Sequence, residues 1–297
     1  MNCKIYAVGR NLEKMRDRFA YCCNEDYFQM ISWDINEARV LEDIGQVDYV
    51  LHLASNTHPV AYATDPIGTI TTNIIGTNNL LEFAVAHNAT RFLFASSNEI
   101  YGENRGDVEL FDEEYCGYIN CNTMRAGYPE SKRCGEALCQ AYMVQKNLDV
   151  AIARLTRSYG PTLLMSDTKA LSQFIKKAVA GEDIVLKSDG TQYYSYTYVL
   201  DAVSGLMTVL LCGESGEAYN IADVKSDITL RDLAKLIADY VGVNLVFEIP
   251  DAIEQAGYSK ATKARLNSEK LQKLGWKAEY TIEEGIRYTI DFMKGNK

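Results

Sequence analysis

The feature that most constrains the fold of this chain is a set of short, nearly continuous apolar runs that alternate with helical segments. The runs YVLHL (49–53), RFLFA (91–95) and VAIAR (150–154) are rich in β-branched and aromatic residues, which suits strands buried on both faces. Long segments with helical periodicity lie between them, at 67–87 and 127–146. This alternation predicts an α/β architecture in which helices cover a parallel sheet.

The pattern changes near residue 160. Before it we expect strands at 4–8, 28–32, 49–53, 91–96 and 150–154. After it, helix candidates mix with short strands near 184–186, 218–221 and 245–247. We therefore predict a parallel sheet covered by helices in residues 1–160. A smaller C-terminal α+β lobe follows in residues 161–297, with some chain crossing back to the sheet.

Charge and hydropathy argue against two kinds of partner. The 297 residues carry 40 acidic and 30 basic side chains, a formal charge of -10 that would repel nucleic-acid phosphates and anionic membranes. The longest strongly apolar stretch, 203–212, is far shorter than the ~20 residues of a membrane span, and the start resembles no export signal. We expect a soluble, cytoplasmic protein that binds neither nucleic acid nor membrane.

The cysteines do not predict a metal site. Eight cysteines and three histidines are present, and the cysteine spacings fit none of the usual zinc patterns. Reduced thiols in a cytosolic protein are the expected state, and no metal is expected.

Ligands of an open parallel sheet bind at the carboxyl ends of its strands. Leu53, Ala54 and Ser55 follow the third predicted strand, and Ser97, Asn98 and Glu99 follow the fourth. These positions are therefore the first candidates for a site.

Tyr128 and Lys132 stand four residues apart near the start of a predicted helix, so their side chains share one face. A neighbouring ammonium favours an ionised phenol, which turns tyrosine into a usable base. Tyr142 and Lys146 have the same spacing but begin ~21 Å further along the axis. Only Tyr128 can meet Ser97; without Ser97 beside it, the spacing would be typical of an ordinary helix.

Several motifs in order give the chain a family resemblance. They are FLFASSNEIYG, RAGYPESKRCGEAL, RLTRSYGP, SYTYVLDAV, EAYNIAD, and KLGW with TIEEGI. Together they resemble the extended short-chain dehydrogenase/reductase family, and within it the nucleotide-sugar epimerases and dehydratases. The resemblance covers nearly the whole chain. It implies a Rossmann-type, doubly wound parallel sheet that binds the dinucleotide in residues 1–160 and a substrate-binding lobe in residues 161–297.

The resemblance implies a shared opening step. Tyr128 would take a proton from a sugar hydroxyl while hydride leaves the same carbon for a nicotinamide ring, and Ser97 would hydrogen-bond the reacting oxygen. Lys132 would also hold the nicotinamide ribose, and Asn73 resembles the asparagine that orders this lysine and a water. An ordinary polar helix position is the alternative for Asn73.

The resemblance also implies the cofactor contacts. Asp34, with Ile35 beside it, resembles the acidic residue at the adenine edge, although a helix cap is nearly as good an explanation. Residues 53–55 would line the same cofactor. Arg10 stands where the family often has a ribose-binding acid, and it could favour NADP. We expect NAD first.

Glu99 bears on the step after oxidation. Relatives that are dehydratases or decarboxylases more often carry glutamate two positions after the serine or threonine, and in a dehydratase it could act as a base at C5. Some of them place an aspartic acid between the two to protonate the leaving hydroxyl. This chain has Asn98 there, and an amide cannot donate a proton in that role. A glutamate that merely caps or pairs at the strand end is the alternative.

The amino end departs from the family. No glycine-rich phosphate-binding turn occurs, and CKIYAVGRN resembles the family's second strand, so about one strand–turn–helix unit of roughly 30 residues is missing. A gene start placed too late, a truncated chain, or a rearranged sheet in which residues 4–8 take the vacant place would each explain this. The last would lower dinucleotide affinity.

Two substitutions affect the substrate side. The family usually has asparagine where Arg157 stands, and an arginine that binds the diphosphate where Tyr194 stands. A diphosphate still needs a cation, and Arg157 is a plausible substitute. An ordinary salt-bridged arginine is the alternative.

We therefore predict an NAD(P)-dependent nucleotide-sugar epimerase/dehydratase that acts through a 4-keto sugar, with 4,6-dehydratase or decarboxylase slightly favoured. The alternatives are a catalytically impaired nucleotide-sugar-binding protein of the same fold and a simple carbonyl reductase or dehydrogenase. Family members often dimerise through helices corresponding to 67–87 and 127–146, so a homodimer is expected.

Overall fold

A computed structural model describes residues 3–23, 25–39, 41–57, 59–248 and 263–295. Its strands are β1 (Ile5–Gly9), β2 (Phe28–Ser32), β3 (Tyr49–His52), β4 (Arg91–Ser97), β5 (Val150–Leu155), β6 (Arg157–Tyr159), β7 (Ile184–Leu186), β8 (Tyr193–Tyr198), β9 (Ala218–Ile221), β10 (Asp227–Thr229), β11 (Leu245–Phe247) and β12 (Lys263–Ala264). Its helices are α1 (Leu12–Arg18), α2 (Pro59–Thr64), α3 (Pro66–Thr71), α4 (Thr77–Ala86), α5 (Gly127–Lys146), α6 (Ala170–Ala180), α7 (Val199–Cys212), α8 (Leu230–Val241), α9 (Glu269–Gln272) and α10 (Ile282–Met293).

The main sheet has four parallel strands in the order β3-β4-β5-β9. Its two central strands are almost completely buried, as their continuous apolar sequences predict. Strand β9 joins this sheet from beyond residue 160, so the chain does return to it. The predicted α/β fold with a parallel sheet is confirmed.

Strands β1 and β2 form a separate parallel pair. Among the described residues, β1 pairs only with β2 and β3 pairs only with β4. Both sheets nevertheless share one apolar core with α4, since Tyr6 and Ile31 pack into the same cluster as Val50 and Leu81. The rearranged sheet considered above is not found, because residues 5–9 keep their register with β2 and do not join β3.

One face of this region carries exposed apolar side chains. In β3, Val50 and His52 face inward, whereas Tyr49 and Leu51 are 45% and 39% exposed. Leu51 pairs with Leu93 of β4, so both point to the same face of the sheet. Leu93 is fully buried together with Val209 of α7, so α7 covers this face at β4, whereas the face is open at β3.

We expect Leu51→Ala to change the free energy of unfolding by less than about 1 kcal/mol, because the side chain is already partly in water. The matched change Leu93→Ala should cost about 2–5 kcal/mol, since it leaves a cavity under α7. Urea unfolding of both variants tests this. Equal losses at the two positions would mean that the β3 face is covered in solution.

The carboxyl-terminal region is built on a second sheet. Strand β8 lies between β10 and β12 and also pairs with β6, while β7 pairs with β11. Helices α6, α8 and α10 pack against these strands around a core that includes Phe174, Ile237 and Ile286. Helices α7 and α9 instead pack on the main sheet. The boundary at residue 160 stays a prediction. In the described part of the chain, no helix is both long and apolar enough to span a bilayer.

A buried ion pair ties α5 to the main sheet. The Arg154 guanidinium donates to both carboxylate oxygens of Glu136, at 3.0 and 2.7 Å. It also donates to the Tyr101 hydroxyl at 3.0 Å, and that hydroxyl donates to the Asn220 side chain at 2.7 Å. Both charged side chains are nearly buried. Helix α5, the turn after β4, and β9 are therefore held together by one connected polar network.

Replacing Arg154 by Met leaves the Glu136 charge buried without its partner. We expect this to destabilise the fold by about 3–5 kcal/mol. Lys235→Met, which removes the exposed ion pair with Asp239, should cost less than about 1 kcal/mol. Guanidinium unfolding of both variants would measure the difference. A small effect of the Arg154 change would contradict the structural role of the network.

Candidate active site

The candidate site is formed where β4 ends and α5 begins. Ser97 is the last residue of β4, and its hydroxyl accepts a hydrogen bond from the Glu99 N–H at 3.2 Å. This bond caps a short 3-10 turn, Asn98–Tyr101, that directs Glu99 out of the sheet. Asn98 is buried at the start of the same turn. The predicted residues 97–99 thus lie together at the carboxyl edge of the sheet.

Tyr128 lies against this turn from the first turn of α5. Its side chain is buried, and the side chains of Ser97 and Tyr62 lie close enough to act on the ionisation of its phenol. The rings of Tyr62 and Tyr128 stack with centroids 4.8 Å apart. Burial, and next the negative charge of Glu99, raise the pKa of Tyr128, while the Ser97 hydrogen bond and the Arg125 charge act in the opposite direction. The structure therefore brings Tyr128 and Ser97 together, as predicted.

The Lys132 ammonium is held by β4. Its Nζ donates to the Ala95 carbonyl oxygen at 2.8 Å and lies 4.8 Å from the centroid of the Phe94 ring. Burial lowers the pKa of Lys132 to about 8, while Glu136 opposes this shift. The largest charges that act on the Tyr128 phenol are those of Glu99 and Arg125. A lowering of the phenol's pKa by Lys132 stays a prediction.

Arg125 is a site residue that the sequence analysis missed. Its Nη2 lies 2.9 and 2.8 Å from the two carboxylate oxygens of Glu99. Its guanidinium also lies 4.9 Å from the centroid of the Tyr62 ring. Arg125 stands three residues before Tyr128, which is about one helical turn, and that spacing was the available signal. Glu99 is thus held as the ion-pair partner of Arg125.

Asn73 is connected to α5 through a serine. Ser55 Oγ donates to Asn73 Oδ1 at 2.8 Å, and Asn73 Nδ2 donates to Ser131 Oγ at 3.0 Å. Asn73 is fully buried on a π-helical turn, Thr72–Gly76, a distortion often found at functional sites. The structure therefore places Asn73 beside the residue that precedes Lys132, and the Asn73 side chain bonds to the two serines.

Two further predicted cofactor residues lie at the ends of β1 and β2. Arg10 Nη1 is 3.9 Å from Asp34 Oδ2, and both side chains are accessible. Asp34 Oδ1 accepts the Asn36 N–H at 3.0 Å, so Asp34 forms a local turn and no helix begins there. The helix-cap explanation for Asp34 is therefore wrong.

The remaining cofactor candidates differ in exposure. Leu53 and Ala54 are exposed just after β3, and Ser55 is half-buried. Ile35 is buried in the core, where its side chain packs against Gly76, and its carbonyl oxygen accepts from Asn79. The side chain of Ile35 is thus not brought to the sheet edge with the others.

Arg157 and Tyr194 form a stacked pair. The guanidinium carbon of Arg157 lies 3.6 Å from the centroid of the Tyr194 ring. Tyr194 is buried, and burial raises the pKa of its phenol, with Arg157 lowering it and Glu99 raising it. The negative charge of Glu99 thus acts on Tyr194, and Arg157 is in direct contact with the Tyr194 ring. An ordinary salt bridge of Arg157 is not found among the described residues.

Replacing Glu99 by Gln removes the main negative charge that acts on the phenol, so the pKa of Tyr128 should fall. Glu114→Gln, an exposed change outside the site, should leave it unaltered. Titration of ¹³C-labelled tyrosine by NMR, with Tyr128→Phe to identify the signal, measures this. A pKa that stays the same or rises in Glu99→Gln would contradict the electrostatic account.

Comparison with known proteins agrees with this geometry. A model described as the NAD dependent epimerase/dehydratase family matches residues 9–222, so the chain belongs to this family. The predicted family resemblance is confirmed. In the described part of the chain no cluster of histidine, cysteine, aspartate and glutamate could hold a metal ion.

Curated relatives carry one repeated description. UDP-glucuronic acid decarboxylase 1 of Xenopus tropicalis is 34% identical over 267 residues, which are 90% of this chain and 61% of that protein. UDP-glucuronic acid decarboxylase 6 of Arabidopsis thaliana is 34% identical over 263 residues, 87% of this chain and 72% of that protein. The first four relatives are matched over only 56% to 61% of their own length.

Solved structures share the fold at low identity. DesIV, a dTDP-glucose 4,6-dehydratase of Streptomyces venezuelae solved with NAD bound, has a TM-score of 0.84 at 22% identity and covers 100% of this chain and 89% of its own. UDP-glucuronic acid 4-epimerase of Bacillus cereus, solved with UDP-glucuronic acid and NAD, has a TM-score of 0.83 at 21% identity, with 98% and 91% covered. The predicted Rossmann-type fold is confirmed.

Proposed function

We propose that this protein is an NAD-dependent decarboxylase of a nucleotide-linked uronic acid that acts through a 4-keto sugar. The observation that carries the proposal is the set Ser97-Asn98-Glu99 facing Tyr128. Elimination of a hydroxyl needs an acid beside it, and Asn98 cannot supply one. Loss of CO₂ needs only a stabilised 4-keto oxygen, which the hydroxyls of Ser97 and Tyr128 can provide. The names of the curated relatives support the same choice.

The residues present fit two parts of a dinucleotide. The hydrogen-bonded chain Ser55–Asn73–Ser131 leads to Lys132, which suits the nicotinamide ribose, and Asp34 and Arg10 suit the adenosine end. A glycine-rich turn for the pyrophosphate is not among the described residues. NAD is favoured over NADP because the Asp34 carboxylate beside Arg10 would repel a 2′-phosphate. When bound, NAD⁺ accepts the hydride and later returns it.

The protein's side chains would move the protons. Tyr128 takes the proton of the C4 hydroxyl as the C4–H hydride departs, which leaves a ketone next to C5. The C5–carboxylate bond then breaks, its electron pair forms an enolate at C4–C5, and CO₂ leaves. Ser97 and Tyr128 donate hydrogen bonds to the enolate oxygen. Protonation of C5 and return of hydride and proton to C4 complete a reaction with no net oxidation.

We further propose the two domain roles and the homodimer that the sequence predicts. Residues 1–160 would hold the cofactor and residues 161–297 the substrate. A homodimer through the surfaces of α3–α4 and α5 is supported by the exposed apolar side chains Ile67, Ile75 and Val144 on these helices. A reducing, cytoplasmic location is supported by the eight free cysteines.

A second candidate is a nucleotide-sugar-binding protein without turnover. The open pairing edges of β1 and β3 and the lack of a glycine-rich turn in the described residues favour it. The protein, NAD⁺ and UDP-glucuronic acid labelled at the carboxyl carbon separate the two. Release of labelled CO₂ supports the enzyme, whereas binding of the nucleotide sugar without CO₂ supports the second candidate.

Tyr128→Phe should slow CO₂ release by at least ~100-fold, because proton transfer by a positioned side chain is typically that effective. Tyr142→Phe is the matched control: this tyrosine has a lysine at the same spacing but hydrogen-bonds Asn78 and Glu82 away from Ser97. It should leave the rate unchanged. A Tyr128→Phe protein that releases CO₂ at the original rate would falsify the proposed role.

A further inference from the structure

Arg157 carries a positive charge that no acidic side chain among the described residues neutralises. No ion pair to its guanidinium is found among the described residues. Its Nη1 atom is buried and lacks a hydrogen-bond partner within the described ranges. The stacking on Tyr194 at 3.6 Å fixes the plane of the guanidinium without compensating its charge. The chain has a net charge of -10, yet the buried Arg157 donor has no acceptor among the described residues, so an anionic ligand would satisfy it.

Arg125 and Arg157 differ in whether a carboxylate balances their charge. Glu99 is compensated by Arg125, which contacts both of its oxygens. Leu155 of β5 is the strand partner of Ser97, and Arg157 follows Leu155 by two residues, so Arg157 lies at the same edge of the sheet as Ser97. Among the described residues, the Arg125 charge is matched by Glu99, whereas the Arg157 guanidinium has no carboxylate partner.

The position of this charge selects among the anionic groups of a nucleotide sugar. In the proposed reaction Ser97 and Tyr128 bind the oxygen on C4, and Glu99 follows Ser97 by two residues. A carboxylate on C5 is attached to the carbon next to C4. The diphosphate is attached to C1, on the opposite side of the sugar ring. A cation on the Glu99 side is therefore better placed for the sugar carboxylate than for the diphosphate.

We propose that Arg157, oriented by the ring of Tyr194, binds the carboxylate of a uronic acid and so determines specificity for acidic over neutral sugars. The proposal rests on the proposed function and names its substrate class. Two parallel hydrogen bonds from a planar guanidinium match a carboxylate. Tyr194 acts as a positioning residue.

Calorimetric binding of UDP-glucuronic acid, UDP-glucose and UDP, in the presence of NAD⁺, tests this. Arg157→Met should weaken UDP-glucuronic acid about 10- to 100-fold and change the other two ligands less than about 2-fold. Arg157→Lys should lose less, because it keeps the charge without the planar fork. Arg231→Met, which removes a guanidinium stacked on Phe247, is the control and should change none.

Tyr194 gives an independent variant that separates stacking from folding. Tyr194→Phe keeps the ring and should keep the preference for the uronic acid, whereas Tyr194→Ala should reduce it. In turnover, Arg157→Lys should raise KM more than it lowers kcat, since the carboxylate is bound before the chemical step as well as during it.

Equal weakening of all three ligands by Arg157→Met would overturn the proposal, because the contact would then be to the nucleotide diphosphate. Unchanged affinity for UDP-glucuronic acid in both Arg157 variants would also overturn it. If Arg157→Met selectively weakens binding of UDP-glucuronic acid but the wild-type protein releases no CO₂, the carboxylate subsite is supported and the proposed decarboxylation is not. If the wild-type protein does not bind UDP-glucuronic acid, both proposals are wrong.

Discussion

The buried ion pair of Arg154 and Glu136 is the interaction on which the arrangement of the site depends. Arg154 comes from the middle of the main sheet and Glu136 from α5, so the pair sets the height of α5 above the sheet. Lys132 and Tyr128 lie one and two turns before Glu136 on the same helix. Arg154 also holds Tyr101, which ends the turn that begins at Asn98. The Arg154 guanidinium thus contacts both the helix that carries Tyr128 and the turn that carries Glu99. Breaking a buried pair of this kind leaves an uncompensated charge.

The electrostatics of the site depend on burial. A buried phenol resists ionisation, and Glu99 adds to this resistance, so the protein alone holds Tyr128 neutral. Arg125 offsets part of the Glu99 charge without removing the carboxylate. Lys132 is buried with its ammonium on a backbone carbonyl, and its lowered pKa reflects the cost of that burial. A positive charge near the phenol, such as that of an oxidised nicotinamide ring, would act against this shift and favour the ionised form.

Much of the main sheet and the reacting residues can be predicted from the sequence, because both leave simple signals. Strands buried on both faces read as continuous apolar runs, and Ser97 and Tyr128 are marked by a strand end and a helix start. Strands β6, β8, β10 and β12 lack such signals. They are short or rich in tyrosine, and their pairing is decided by tertiary contacts. Periodicity predicts one helix over 67–87, but a π-helical turn at Asn73 interrupts it.

Side-chain partners are harder to predict than positions. The spacing of Tyr128 and Lys132 places them on one helix face but does not determine where the long, flexible lysine side chain points. Its ammonium donates a hydrogen bond to a backbone carbonyl oxygen on β4. The Arg125–Glu99 pair spans 26 residues of sequence, so no local pattern marks it. The burial of Ile35 depends on its packing against Gly76 on a distant helix.

The separation of β1–β2 from the main sheet links cofactor binding to the fold. Asp34 and Arg10 lie beside the two-stranded sheet, while Ser55 and Ser97 lie at the ends of β3 and β4. In the described residues these two sheets share no strand pairing and meet through the core beneath them. A dinucleotide that contacts Asp34 at one end and Lys132 at the other would bridge both sheets. A ligand that bridges the two sheets raises the free energy of unfolding by an amount that grows with the logarithm of the ratio of its concentration to its Kd. Binding of such a dinucleotide would therefore be coupled to the stability of the contact between the two sheets.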